Sequence, residues 1–432
     1  MNKPVAKGKG SSIIFVQVGV VVLVAVVIAV GILTQPQGVD EQALLPPLAT
    51  ATPVSQPRLA FDLNAGRLKD TVQIGLLDAQ GVTSTLNLPL TLGASYSLVG
   101  DKLLTFATSP RGVIGVFTAT YTLRSLDSSA LRQFSTVMTA TNAIGDSYIF
   151  SPAQLSPDGS SIAYLRDHQQ FIDNGLRVRL TWMLLRVDLN TKTETTLGSG
   201  ELEGTTAPSA SLAFWSNASN QIYLNLQAAS SQKPVATLYP YNADGSGAGR
   251  QVTVPSFFYQ VSPDGSKIAS LDSSVATFTP QQFNNFNRIT ILDLQNGSSR
   301  RIVASGDDAI EQIAWSPDSQ SLAYIERLAP PTPVAGKMAA GDLFYHILLK
   351  RLDLSAAQPI NISEYQAGAN DPPYATNSDL AWCGSRLYIQ LTSYRDAGNS
   401  SATLYYIPTD RPGGFRPAVA GDWPYNIVGC VR

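Results

Sequence analysis

Cys383, Cys430, His168 and His346 are the whole stock of thiol and imidazole in this 432-residue sequence. These are the groups that most structural zinc sites, thiolate nucleophiles and neutral-pH proton transfers recruit. Neither histidine sits in a His-x-x-x-His or Glu-x-x-His arrangement, so a two-cysteine, two-histidine zinc site would need all four scattered residues to converge. No metal and no cofactor is expected. No Gly-x-Ser-x-Gly elbow with a following acid and histidine is present, which argues against an attached α/β-hydrolase. The stretch Tyr241 to Gly247 resembles a calcium loop only on the surface. It lacks the opening Asp and the Glu twelve positions on, and its Asn and Gly suit a β-turn. Asp307, Asp308 and Glu311 read as solvated loop charges. Asn217, Asn296, Asn361 and Asn399 each begin an Asn-x-Ser sequon, which matters only in a host that glycosylates such sites. No catalytic constellation is visible, and no catalytic residue is assigned.

Chemistry so sparse directs attention to the elements. Only 14% of residues are charged against roughly 25% in an average soluble protein, while 33 Gly, 27 Pro and 17 Tyr supply the turn formers and strand-loving aromatics of an all-β chain. Lys plus Arg (30) nearly balance Asp plus Glu (32), so no basic field exists to hold a nucleic acid backbone.

Ile13 to Leu33 is a run of 21 uncharged residues, nine of them Val and four Ile, with Gln17 its one polar side chain. As a helix it spans about 31 Å, which matches a hydrocarbon core of about 30 Å. Its sixteen strongly apolar residues supply roughly 5–10 kcal/mol of insertion drive. A cleaved signal has an apolar core of only about 7–15 residues, so an uncleaved anchor fits better, and either alternative exports the rest of the chain. Lys3, Lys7 and Lys9 precede the run, and Thr34 to Pro57 has no Lys or Arg. The positive-inside rule then leaves 1–12 as a cytoplasmic tail, 13–33 as a transmembrane α-helix and 34–57 as a Pro-rich linker outside the membrane. The expected location is the cytoplasmic membrane, single-pass, with the C-terminal bulk periplasmic or extracellular.

Within 58–432 the sequence repeats itself. Ser156-Pro157-Asp158-Gly159-Ser160-Ser161-Ile162-Ala163 returns as Ser262-Pro263-Asp264-Gly265-Ser266-Lys267-Ile268-Ala269 and as Ser316-Pro317-Asp318-Ser319-Gln320-Ser321-Leu322-Ala323. Proline presets φ for a turn, the carboxylate bonds backbone ahead of it, glycine accepts a positive φ, and an alternating strand follows. Worn copies lie at Tyr96–Leu104, Leu212–Leu224 and Leu380–Ile389. Alternating strands that end in Asp/Asn/Gly turns, such as Leu185–Asn190 and Ile289–Gly297, follow the hinges. Each unit therefore supplies about four short antiparallel strands, the pattern of a β-propeller blade. On these hinges the chain resembles the periplasmic TolB-type propellers and the wider WD40-like (PD40) repeat family.

Six hinges, plus a composite blade made from residues 58 to 90 and a C-terminal strand Trp423–Val428, give seven blades of roughly 54 residues. Six blades stay open if residues 58 to 90 pack differently. Cys383 and Cys430 fall at similar depth in first strands of neighbouring blades. They either bridge or stand as two buried thiols, according to whether neighbouring first strands lie within the Cα separation of about 7 Å that a disulfide tolerates. Longer loops depart from the repeat at Asp167–Gly175, Phe278–Asn287, Leu328–Asp342 and Gln366–Thr376. Phe278, Phe283, Phe286 and Tyr374 in these loops are either partner anchors or residues folded back onto blade faces. The function expected is that of a protein-binding scaffold of the cell envelope, not an enzyme, with another envelope or membrane protein as partner. The alternatives are a lyase or glycoside-processing propeller, or a sugar or small-ligand sensor, using the central channel. The apolar first strands around Leu212, Ile313 and Leu380 favour filling over catalysis.

Overall fold

The computed structural model describes residues 57–431 apart from the segments 64–70, 79–80, 82, 90–94, 111–115, 127–130, 140–146, 228–234, 273–285, 305–307, 329–345, 367–373, 397–398, 411–412 and 422–425. The apolar run 13–33 and all of the linker except Pro57 lie outside the described residues. Among the described residues no helix is long and apolar enough to cross a membrane.

Residues 58–431 form seven antiparallel sheets, six of four strands and one of five. Blade 1 combines Arg58–Asp62, Thr71–Leu77 and Thr83–Pro89 with the C-terminal strand Asn426–Val431. Blades 2 to 7 follow in order at 95–139, 147–204, 209–254, 259–303, 309–366 and 374–421. Their first strands are Ser95–Val99, Ser147–Phe150 with Gln154–Leu155, Ser209–Ser216, Tyr259–Val261, Ala309–Trp315 and Tyr374–Cys383. First strands of successive blades touch, as Ala309–Trp315 does Tyr374–Cys383 and Tyr374–Cys383 does Asn426–Val431, which sets them at the centre of the ring. The chain is thus a seven-bladed β-propeller.

The closing strand runs three residues past the expected end at Val428, to Val431, and 423–425 lie outside the described residues. Asn426–Val431 pairs with Arg58–Asp62, setting Cys430 opposite Leu59 and Ile427 opposite Phe61. Its side chains decide the register. Ile427 and Cys430 pack with the core between blades 7 and 1, and Val428 and Val431 with the core between blades 1 and 2. A one-residue slip would exchange those faces. Seven buried clusters occupy the seven blade interfaces, so among the described residues the ring has no open seam.

The hinge motif acts the same way three times. Ser156, Ser262 and Ser316 each donate a hydroxyl proton to the Asp two residues on, at 2.6, 2.6 and 2.5 Å. Each serine oxygen then accepts the N–H five residues on, at 2.9, 2.9 and 2.8 Å. Each Asp also accepts the N–H two residues ahead at 3.0 Å. The Ser156 hydroxyl, then the Ser160 backbone and hydroxyl, hold Asp158 at a pKa of about 2. The Ser316 hydroxyl and the Gln320 amide likewise hold Asp318 below the usual carboxylate range. The hinge aspartates build turns, and Asp158 and Asp264 accept on both carboxylate oxygens, which leaves those two little acceptor capacity for chemistry.

A second device joins blades farther out. Arg186 Nη1 donates to Ala243 O (2.8 Å), Arg300 Nη1 to Leu354 O (3.1 Å) and Arg351 Nη1 to Thr409 O (3.2 Å), each reaching a turn of the next blade.

Candidate functional site

The second and third strands of blade 3 are each twelve residues long, Ser161–Ile172 and Arg177–Asp188, against seven for the second strands of blades 4 and 6. They pair without interruption from Ser161↔Asp188 to Ile172↔Arg177. The excess of five residues over those two strands corresponds to about 17 Å of paired strand, and among the second strands in the described residues only that of blade 7, with eleven residues, comes near it. The segment Asp167–Gly175, read from the sequence as a loop, is therefore mostly strand. Its polar Gln169 and Gln170 mask the alternation, and pairing with Val178, Leu180 and Trp182 imposes it.

At the tip, Asp173, Asn174 and Gly175 take positive φ values of 52°, 57° and 86° in a 3-10 turn closed by Leu176 N donating to Asp173 O at 3.2 Å. Beside that turn Phe171 is 62% and Leu176 73% exposed, which places them, with Val303, as the most exposed large apolar side chains among the described residues. Salt bridges brace the stalk beneath them. Glu203 on the fourth strand receives Arg177 at 2.5 Å and Arg179 at 2.6 Å, and Arg177 also meets Asp173 at 3.4 Å. The tip presents two apolar anchors on a salt-bridged hairpin, at the end of the blade opposite the hinges.

At the base of the projection Asp167 is only 7% exposed, sits opposite Trp182, and has an Oδ1 atom without a hydrogen-bond partner. Loss of hydration pushes its carboxyl up to about 7. Its strand neighbour His168 faces the other way and stacks on Tyr148 at a ring separation of 4.1 Å.

The residues picked out in sequence are dispersed. Phe278 and Phe283 lie outside the described residues. Tyr374 opens the first strand of blade 7. Phe286 is not an exposed anchor. It is 6% exposed and packs on Phe258 at 5.0 Å, because the segment leading into the third strand of blade 5, Arg288–Asp293, closes the core shared with blade 6. Glu311 is likewise a strand residue paired with Arg327 at 2.6 Å, and not a free loop charge. His346 pairs with Glu364 at 2.6 Å in blade 6, far in the ring order from His168 in blade 3. Among the described residues no group of three or more His, Cys, Asp or Glu is arranged to hold a metal. Cys383 and Cys430 are joined as a disulfide with Cα atoms 5.3 Å apart. Near the centre of the ring adjacent first strands converge enough for that span.

Sequence reasoning missed Phe171 and Leu176. The available signal was Asp173-Asn174-Gly175 flanked by apolar residues, a hairpin-turn pattern.

No family model matches the chain, and no curated protein sequence matches it. Among solved structures the chain is similar to the β-propeller domain of the Trilobed protease from Pyrococcus furiosus, at 13% identity and a TM-score of 0.40, over 72% of this chain and 83% of that one. It is also similar to a protein from Lactobacillus plantarum, at 11% identity and a TM-score of 0.41, over 87% and 99% of the two chains. Against the acylaminoacyl peptidase of Pyrococcus horikoshii the identity is 12% and the TM-score 0.43, with 76% of this chain covering only 45% of that one. Each is a likeness of fold, and the assignment to the β-propellers stands on this chain's own strand pairing.

Proposed function

We propose that the chain is a propeller anchored in the cytoplasmic membrane by residues 13–33, working outside the cytoplasm as a protein-binding scaffold of the TolB type. The observation that carries the binding role is the pair Phe171 and Leu176, largely exposed at the tip of the extended blade-3 hairpin. A few apolar anchors on a rigid support supply most of the affinity in many interfaces, and a salt-bridged stalk keeps the ordering loss low. The 21-residue apolar run, the flanking lysines and the Cys383–Cys430 disulfide support export, since disulfides persist in oxidising compartments. The TolB-type resemblance of the hinges supports an envelope role.

The test joins placement with partner capture. Protease added to intact cells whose outer barrier has been opened should cut the propeller, and crosslinking to the wild-type chain should recover an envelope protein that F171S/L176S loses. A propeller protected while an exported control is cut would overturn the placement. Equal recovery by the double variant would overturn the docking role of the hairpin.

A further inference from the structure

On the hinge face, neighbouring hinges bond to one another at several blade junctions. Lys102 Nζ donates to Asp158 O (3.1 Å) between blades 2 and 3. Ala218 N donates to Asp264 O and Ser216 Oγ to Gly265 O, both at 2.8 Å, between blades 4 and 5. Asp264 N donates to Ser319 Oγ at 3.1 Å between blades 5 and 6. Gly265, with φ +71°, permits the second of these junctions, because a Cβ there would stand 2.7 Å from Ser216 Cα. Among the described residues no hydrogen bond joins the blade-3 hinge, 156–161, to the blade-4 hinge, 216–221. A cleft of about 440 Å³ opens there instead, within the range of roughly 300–1,000 Å³ common to small-molecule sites.

The walls of this cleft include Trp215, Arg186, Asp158, Asn217 and Asn220. The protein fixes the orientations of Trp215, Asn220, Arg186 and Asp158. Trp215 Nε1 donates to Asn220 Oδ1 at 3.3 Å, which holds the half-buried indole in place. Arg186 donates from Nε to Ser161 Oγ (3.3 Å) and from Nη1 to Ala243 O (2.8 Å), so Nη2 has no protein acceptor among the described residues. The oxygens of Asp158 already receive the Ser156 hydroxyl and both the amide and hydroxyl of Ser160.

We infer that the cleft between the blade-3 and blade-4 hinges binds a neutral saccharide, with the Trp215 indole as platform and Arg186, Asn217 and Asn220 as partners for its hydroxyls. Charge and chemistry narrow the ligand to this class. An anion would meet the Asp158 carboxylate. A cation would meet the Arg186 guanidinium, and Asp158, whose oxygens already accept three hydrogen bonds, has a single acceptor position left for the ammonium of a zwitterion. A sugar ring is uncharged, carries hydroxyls that both donate and accept, and has an apolar C–H face that lies on an aromatic ring. The open donors and acceptors of the two amides and the guanidinium suit such hydroxyls. This site lies at the opposite end of the blades from the Phe171 hairpin, so its test stands apart from that of partner docking.

The full chain, in a zwitterionic detergent without a sugar headgroup, should be titrated with neutral tetrasaccharides of glucose, N-acetylglucosamine and galactose, with inorganic phosphate and glycylglycine alongside. Saturation-transfer NMR and tryptophan fluorescence read the binding. At least one tetrasaccharide should bind, W215A should weaken it about tenfold or more, and N217A severalfold, while F171S/L176S leaves it unchanged. Asn217 is exposed, so N217A decides the matter should W215A lower the melting temperature. Binding of none of the three sugars, preference for phosphate or glycylglycine, or unchanged sugar affinity in N217A would each overturn the proposal.

Discussion

The carboxylates of this protein divide by what surrounds them. Asp318 at a hinge is bound by a hydroxyl and a backbone amide, and D318A should destabilise the ring by about 1–2 kcal/mol, read by urea denaturation, as expected for losing charge-assisted turn bonds. For Asp158 the folded pKa of about 2 lies below the ordinary value near 3.9. The stabilisation it gives is therefore complete above about pH 4 and lost as pH falls through about 2, a modest term because the group is well solvated. Asp167 has the opposite sign. Its folded pKa is raised to about 7, so the unfolded chain ionises first and stability declines as pH climbs from about 4 to 7. D167N should leave stability near pH 4 almost unchanged and raise it at pH 8 by roughly 2–4 kcal/mol. Equal denaturation midpoints for variant and wild type at pH 8 would count against a buried, partnerless carboxyl.

At the scale of elements, two phenylalanines of similar sequence context have unlike roles. Phe286 is buried between blades 5 and 6, and F286A should cost about 3–5 kcal/mol in denaturant unfolding. Phe171 stands outside any core, and F171S with L176S should shift stability by less than about 0.5 kcal/mol per site while reducing partner recovery. Nothing in the composition of either segment separates the two. The difference arises because Phe171 sits beside the turn that ends the blade-3 hairpin, whereas Phe286 lies two residues before a strand, where Ile310 N donates to its carbonyl O at 2.5 Å.

Across the whole molecule the ring depends on its last strand. Asn426–Val431 contributes to two interblade cores, and the Cys383–Cys430 bond fixes it to blade 7 across a sequence separation of 47. Closing a loop of that length restricts the unfolded chain by about 4 kcal/mol in the chain-entropy account. C383S/C430S should lose about 3–4 kcal/mol, and reductant should lower the wild-type midpoint toward that of the variant, a difference measurable in guanidinium. Deleting 426–432 should go further, baring the edge of Arg58–Asp62 and giving a concentration-dependent aggregate in light scattering.

The hinge repeat, the strand alternation and the composite first blade are local patterns, and local patterns are written in neighbouring residues. Ser156-Pro157-Asp158-Gly159 therefore announced its turn, and the apolar character of 59–63 and 423–428 announced strands in want of partners, the second of them three residues short of its observed end. What the sequence could not hold is separation through space. Whether Cys383 and Cys430 stood within bonding distance depended on how tightly first strands converge. The burial of Phe286, the isolation of Asp167 and the exposure of Phe171 each turned on which blade lay alongside. The cleft between the blade-3 and blade-4 hinges lies where two turns 60 residues apart lack the hydrogen bonds that join the hinges of blades 2 and 3, 4 and 5, and 5 and 6. Contact across blades is a property of the closed ring, and only the tertiary structure carries it.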